Sequence, residues 1–251
     1  MEYDQLLESA LQIGEGILCN GGEVYRVEES IKRIIKAYGI DSVEVFAIPS
    51  FIITTINTTD GQVHTKSKRI YSIDVNLEKV DLYNQLCRKI ALEKMDYNEM
   101  QKQITTIENK KVYNLFLQIL AGTLIGLSFT LLFGGDIRDA LCSALSSALI
   151  KYSYISINRF HMNIFFTNIV SSTVSTAAAI ILTGLGLGNS IDIILIGSLM
   201  NLVPGVAITN FMRDIMAGDL MSGLAKFTES FLIATAIALG TGFALSIFYL
   251  I

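Results

Sequence analysis

Apolar positions near the start of the chain recur at three- and four-residue spacing: Leu6, Leu7, Ala10, Leu11, Gly14, Ile17 and Leu18. That period puts them on one face of a helix running from Tyr3 to Asn20, which Gly21-Gly22 ends. A second stripe of Val24, Val27, Ile31, Ile34, Ile35 and Tyr38 predicts a helix from about Glu23 to Tyr38, stopped by Gly39. From Asp41 the period changes to two. Val43, Val45 and Ala47 alternate with Glu44 and Phe46, Pro49 breaks the strand, and Phe51 to Asn57 follows as a β-branched run. Thr58-Thr59-Asp60-Gly61 predicts a hairpin turn, because Asp-Gly accepts the positive φ of a tight turn. Val63 to Tyr71 reads as a polar edge strand, and Leu77 to Leu92 and Tyr97 to Ile107 read as helices. Residues 1–111 are therefore expected to form an α+β domain ordered ααβββαα.

Beyond residue 111 the alternation of apolar and polar positions gives way to long apolar runs. Val112 to Phe133 is 22 residues without a charge, about 33 Å as a helix and enough to cross a bilayer core. Ile137 to Ile150 is a weaker span, with Arg138 and Asp139 at one end and Lys151 at the other. Ile164 to Thr183 is rich in Ser, Thr and Ala, as suits a helix packed closely against others in lipid. Ile191 to Thr209 is apolar but holds Asn201, Pro204 and Gly205, and Phe227 to Ile251 closes the sequence. The expected architecture is an α+β N-terminal cytoplasmic domain followed by an all-α membrane domain of five transmembrane helices, about 112–133, 137–150, 164–183, 191–209 and 227–251.

Composition sharpens this division. The chain has 251 residues, 51% hydrophobic and 17% charged, with a mean hydropathy of +0.50. Residues 1–111 hold 14 Lys/Arg and 17 Asp/Glu, whereas 112–251 hold 5 and 6. The first part has the charge density of a soluble domain and the second that of a membrane domain. The net charge of −4 offers no basic surface for nucleic acid. The acidic start, MEYDQLLESA, is not a secretory signal. Cys19, Cys87 and Cys142 lack metal-ligand or CxxC spacing and read as small buried hydrophobes. Ten Lys/Arg between Lys66 and Lys111 precede the first span. Lys151 and Arg159 lie between spans two and three, and Arg213 and Lys226 between four and five. Positive charge on alternate connections predicts a cytoplasmic N-terminal domain and, with five spans, a C-terminus outside the cell membrane.

No catalytic set and no metal set emerges, and no cofactor motif is present. His64 stands in a polar strand beside Lys66, Lys68 and Arg69, a pattern that reads as a solvated edge deterring strand pairing. Gly22, Glu23, Arg26 and Glu28 form a compact motif at the second helix start. Glu23–Arg26 reads as an ordinary surface pair worth about 0.2–0.5 kcal/mol. The polar features of the membrane part cluster around Asn201, Pro204, Gly205, Asn210 and Arg213. Pro204 lacks a backbone donor and Gly205 weakens the next turn, so the helix can break there. Broken helices at membrane depth are tolerated where they line a cavity. In the functional reading Arg213 attracts a carboxylate, and Asp214, Asp219 or Glu229 carries a proton. The competing reading is a proline-kinked helix that ends in a cytoplasmic loop, with Arg213 and Asp214 at the interface.

Leu202-Val203-Pro204-Gly205, Asn210, Arg213-Asp214, Gly218-Asp219 and Ser222-Gly223, taken with Asn20-Gly21-Gly22-Glu23-Val24-Tyr25-Arg26-Val27-Glu28, resemble the threonine/serine exporter family. The resemblance covers nearly the whole chain; Cys19-Asn20-Gly21-Gly22 stands where the family more often has a Ser-Gly-Ala-type turn. It implies a secondary transporter that exports a small solute, either an amino acid (threonine or serine) or a small carboxylate such as succinate, powered by the proton gradient. The end of the sequence after the fifth span matches the larger subunit of the family's split, two-component type. A second, smaller membrane subunit is then the expected partner, alongside the solute and the lipid bilayer. Other classes fit less well. A membrane enzyme would need a nucleophile–base pair or HExxH set, and His161 at an interface supplies neither. A membrane-anchored sensor or regulatory protein, or a passive channel, remains the alternative to the exporter.

Overall fold

The computed structural model describes residues 2–58, 60–158 and 162–250. Thr59 of the expected turn, Arg159 and His161 between two expected spans, and Ile251 at the end of the last span lie outside the described residues. Ten helices and one three-stranded sheet are seen among the described residues. The chain divides into two compact units, one of residues up to Lys111 with Gly205–Thr228, the other of Val112–Pro204 with Glu229 onward.

The first unit begins with α1 (Tyr3–Cys19) and α2 (Val24–Ala37), continues through β1 (Val43–Ile48), β2 (Phe51–Asn57) and β3 (Val63–Arg69), and returns to α3 (Leu77–Glu93) and α4 (Tyr97–Glu108). The strands form an antiparallel meander, β1-β2-β3, with Val45 opposite Thr54 and Ile52 opposite Lys68. Val45, Ala47, Ile52 and Ile56 turn one face inward against Leu7, Ile17, Ile31, Ile34 and Ile90. Removing such apolar surface from water is the main stabilising term. α1 and α3 pack closely: a methyl on Gly16 would fall on the Tyr83 ring. α3 starts where the Asn76 side chain accepts from the Lys79 N–H at 3.1 Å, and α4 where Asp96 accepts from Glu99 at 2.8 Å. The basic strand β3 is not simply solvated. Lys68 lies 3.1 Å from Glu15 and Lys66 3.6 Å from Glu8, both acids of α1.

The second unit contains α5 (Leu115–Leu132), α6 (Ile137–Asn158), α7 (Ile164–Gly184), α8 (Ile191–Leu199) and the later part of α10 (Leu220–Leu250). Its burial pattern is inverted relative to the first. Ser143, Ser147, Ser171, Ser175 and Thr176 are fully buried, while Leu124, Leu132, Ile181, Leu239 and Phe243 are exposed. Hydroxyls and small residues inside with large apolar side chains outside suit helices whose solvent is lipid. Ser143 donates to the Gly126 carbonyl at 3.1 Å, joining α6 to α5. Thr173 donates to the Gly240 carbonyl at 3.1 Å, joining α7 to α10.

The structure corrects the expected fold class. Four helices, not five, are long and apolar enough to cross a membrane among the described residues: Leu115–Leu132, Ile137–Ile157, Ile164–Gly184 and Leu220–Phe248. The expected fourth span, 191–209, is two helices. α8 has nine residues, about 14 Å, roughly half a bilayer core. The chain then turns through Met200–Leu202 and resumes as α9 (Gly205–Met216) directly after Pro204. Proline cannot continue the hydrogen-bond ladder of α8, and average hydropathy over 191–209 conceals the break. The simple succession of a cytoplasmic α+β domain and five transmembrane helices is also replaced by interleaving, since α9 and the start of α10 join the first unit. The expectation of termini on opposite sides rested on five crossings and loses that basis.

Candidate functional site

Two motifs far apart in sequence meet in the first unit. α1 ends in a Schellman turn: Gly22 N–H donates to Ile17 O at 2.9 Å and Gly21 N–H to Leu18 O at 3.1 Å. Gly21 takes φ +88°, and a Cβ on Gly22 would sit 2.8 Å from the Ile17 carbonyl oxygen, so both positions require glycine. The turn presents the Gly21 carbonyl and the Glu23 side chain to α9. Asn210 donates through Nδ2 to Gly21 O at 2.8 Å, and Arg213 donates through Nη1 to Glu23 Oε1 at 2.7 Å.

Glu23 is therefore not half of an ordinary surface pair. Its side chain is 9% exposed and lies 3.1 Å from Arg26 Nε on one oxygen and 2.7 Å from Arg213 on the other. Burial pushes its carboxyl up, but its own backbone N–H, the Arg213 hydrogen bond and the two guanidinium charges outweigh that and hold it below its ordinary value. Arg213 keeps 60% of its side chain exposed while making this bond. Glu28 is directed elsewhere: Oε1 accepts from the Ala47 N–H of β1 at 2.9 Å, and burial pushes its carboxyl up.

α9 itself ends in a second Schellman turn, with Gly218 at φ +94° and Asp219 N–H donating to Asp214 O at 2.9 Å. α10 then folds back along α9. A Cβ on Gly223 would meet the Phe211 carbonyl oxygen at 3.2 Å, and the Phe211 and Phe227 rings meet edge-on at 5.4 Å. Between these helices Asp214 Oδ2 accepts from Lys226 Nζ at 2.8 Å, with the side chains 0% and 8% exposed. The other oxygen, Asp214 Oδ1, is buried without a hydrogen-bond partner among the described residues. Asn210, Arg213, Asp214 and Asp219 thus share one helical hairpin with the Gly22–Glu23–Arg26 motif nearby.

Other expected site residues belong to the second unit. Asn201 donates through Nδ2 to Gly122 O of α5 at 3.0 Å and to Ser198 O at 3.3 Å. Glu229 is exposed on α10. Pro204 and Gly205 stand at the division between the two units and mark the helix break.

Three charged residues matter more than the sequence suggested. Lys226 was legible only as a loop charge, yet it neutralises Asp214. Asp139, expected at an interface, is buried and accepts from the Asn189 and Ser190 N–H groups at 2.6 and 3.0 Å, fastening the start of α8 to α6. Lys151 lies within α6, which continues to Asn158. The only available signal was Lys151 standing between apolar runs. No spacing rule links position 139 to 189 or 214 to 226.

Family comparison covers the stretch that holds both motifs. The sequence profile of the family described as "Putative threonine/serine exporter" matches residues 8–248. The chain belongs to the threonine/serine exporter family. Within this exporter family, it is 25% identical over 243 residues to "Probable succinate transporter subunit YjjP" of Escherichia coli K12, covering 94% of this chain and 92% of that one. The protein of the same description from Klebsiella aerogenes is 26% identical over 235 residues, covering 92% and 89%. "Probable threonine/serine exporter" of Mycobacterium tuberculosis is 18% identical over 238 residues, 94% of this chain but 45% of that longer protein. No solved structure matches the chain. These relatives are named as transporters or exporter subunits, not enzymes. With the apolar helices of the second unit, they support a multi-pass membrane protein with a transport role.

Proposed function

We propose that this chain is one subunit of a secondary transporter that exports a small carboxylate of the succinate class, driven by the proton gradient and completed by a smaller membrane subunit. The observation that carries the reading is the interruption of the apolar stretch 191–209 between α8 and α9, beside a cavity lined by Asn201. A helix that stops inside an apolar stretch exposes backbone groups, which is tolerated in lipid where protein or a water-filled cavity satisfies them. The relatives matched over nine-tenths of their length carry the word subunit in their names and succinate as solute, which favours a dicarboxylate over threonine or serine. Among Asp214, Asp219 and Glu229, the proton carrier in this reading is Asp214, because it alone is buried against a lysine with one carboxylate oxygen left unpartnered.

Cells loaded with succinate, threonine or serine test the proposal when efflux is followed with and without the small subunit and with the proton gradient intact or collapsed. Gradient-dependent succinate efflux that needs both chains is the expected result. Equal efflux after collapse of the gradient would turn the reading into a passive channel.

A further inference from the structure

The cavity in the second unit has a volume of about 410 Å³, within the usual range for small-molecule sites. Its walls come from Tyr113, α5, α6 and the turn after α8, and most of them are apolar. One side chain is out of keeping with that lining. Lys151 opens into it from α6, inside a helix that qualifies by length and composition as a membrane span. It stands six residues before Ile157, about 9 Å from that end of the span. A charge held within a span is costly unless something compensates it. Among the described residues no acidic side chain pairs with Lys151; its ammonium lies 5.8 Å from the centre of the Tyr154 ring.

The neighbouring groups are fixed. A Cβ on Gly122 would approach Lys151 Cβ at 3.3 Å and Asn201 Oδ1 at 3.2 Å, so the bare α5 backbone lets both side chains close on it. Both amide hydrogens of Asn201 are engaged by Gly122 O and Ser198 O, which orients its Oδ1. Gln118 is held by its own bond to Tyr113 O at 2.7 Å. The cavity thus combines one cation without an acidic partner among the described residues, an oriented amide oxygen and apolar walls.

We infer that this cavity is the solute site and that Lys151 is the counter-charge of the solute's carboxylate, an assignment that rests on the transport reading above. One point-like ammonium matches one of the dicarboxylate's two carboxylates, the Asn201 oxygen can accept from the other in its protonated form, and the apolar walls match the short hydrocarbon between them. An anionic phospholipid would offer Lys151 a negative oxygen from a different source, so the test separates the two.

The full chain, solubilised in detergent, is dialysed to equilibrium against radiolabelled succinate and, separately, threonine. Lys151→Gln is expected to weaken binding of the recognised solute about tenfold or more, the usual scale for a lost charged hydrogen bond. Lys151→Arg should keep most of the affinity. Ala121→Phe, which fills the cavity without touching the charge, should weaken binding as well, and retained binding by Lys151→Arg separates loss of the charge from misfolding. Equal binding by wild type and Lys151→Gln, or no binding of either solute by wild type, overturns the site. So does an outcome in which Lys151→Gln loses only retention of phosphatidylglycerol from mixed phosphatidylglycerol–phosphatidylcholine vesicles. Efflux measured beside binding separates the two claims. Lys151-dependent binding without export keeps the site and sinks the transporter reading; export indifferent to Lys151 does the reverse.

Discussion

Glu23 shows how one side chain can change meaning between sequence and structure. Three residues before Arg26 it reads as a surface partner, yet it is buried and held by two guanidinium groups. Its carboxyl sits below the ordinary value of 4.5. A depressed carboxylate contributes stability that is fully present above its unfolded pKa and lost as pH falls through the folded one. The contribution of Glu23 to thermal stability should therefore be level above about pH 5 and decline below the ordinary carboxylate range. Glu23→Gln should lower stability by about 1–3 kcal/mol at neutral pH and flatten part of that acid decline. An unchanged acid limb in the variant would remove Glu23 from the account. Gly16 makes a second, simpler prediction. Gly16→Ala drives a methyl into the Tyr83 ring, and overpacking of this kind costs about 1–3 kcal/mol, readable as a lower melting temperature.

At the scale of elements, the hairpin of α9 and α10 depends on a buried ion pair. Lys226→Met leaves Asp214 charged and unpaired between two helices, a loss of about 3–5 kcal/mol. Adding Asp214→Asn should restore much of that stability, because both partners are then neutral. A double variant as unstable as the single one would mean that the lysine acts through packing alone. The interruption between α8 and α9 is the second element open to test. Pro204→Ala permits helix to propagate from Leu199 toward Gly205. Amide exchange across Met200–Leu202 should slow, and succinate efflux should fall while membrane insertion persists.

These elements also show what a sequence discloses. The stripes Leu6–Leu18 and Val24–Tyr38 were legible as α1 and α2 because burial of one helical face imposes a 3.6-residue period. Val45 and Ala47 likewise disclosed β1, and Pro204-Gly205 disclosed a break. What the break did to the span count was hidden, since hydropathy averages across it. The contact between Asn210 and Gly21 joins residues 189 positions apart, and no local pattern predicts a partner at that distance. The same holds for Glu23 and Arg213. Lys151 was visible as a charge, but nothing in the sequence placed a cavity beside it.

For the whole molecule, the two compact units follow opposite solvation rules. The first buries aliphatic side chains under charged helices and a polar strand, whereas the second buries serines and threonines and exposes leucine and phenylalanine. A chain of this kind needs lipid around the second unit, and membership of the exporter family supplies the reason. In the proposed function the chain exports a small carboxylate, coupled to protons and together with a second chain. Liposomes loaded with succinate and holding this chain, the small subunit, both or neither test it most directly. An imposed proton gradient should release succinate only where both chains are present, and an ionophore should stop the release. Release from liposomes holding either chain alone, or release that the ionophore leaves untouched, would contradict the account.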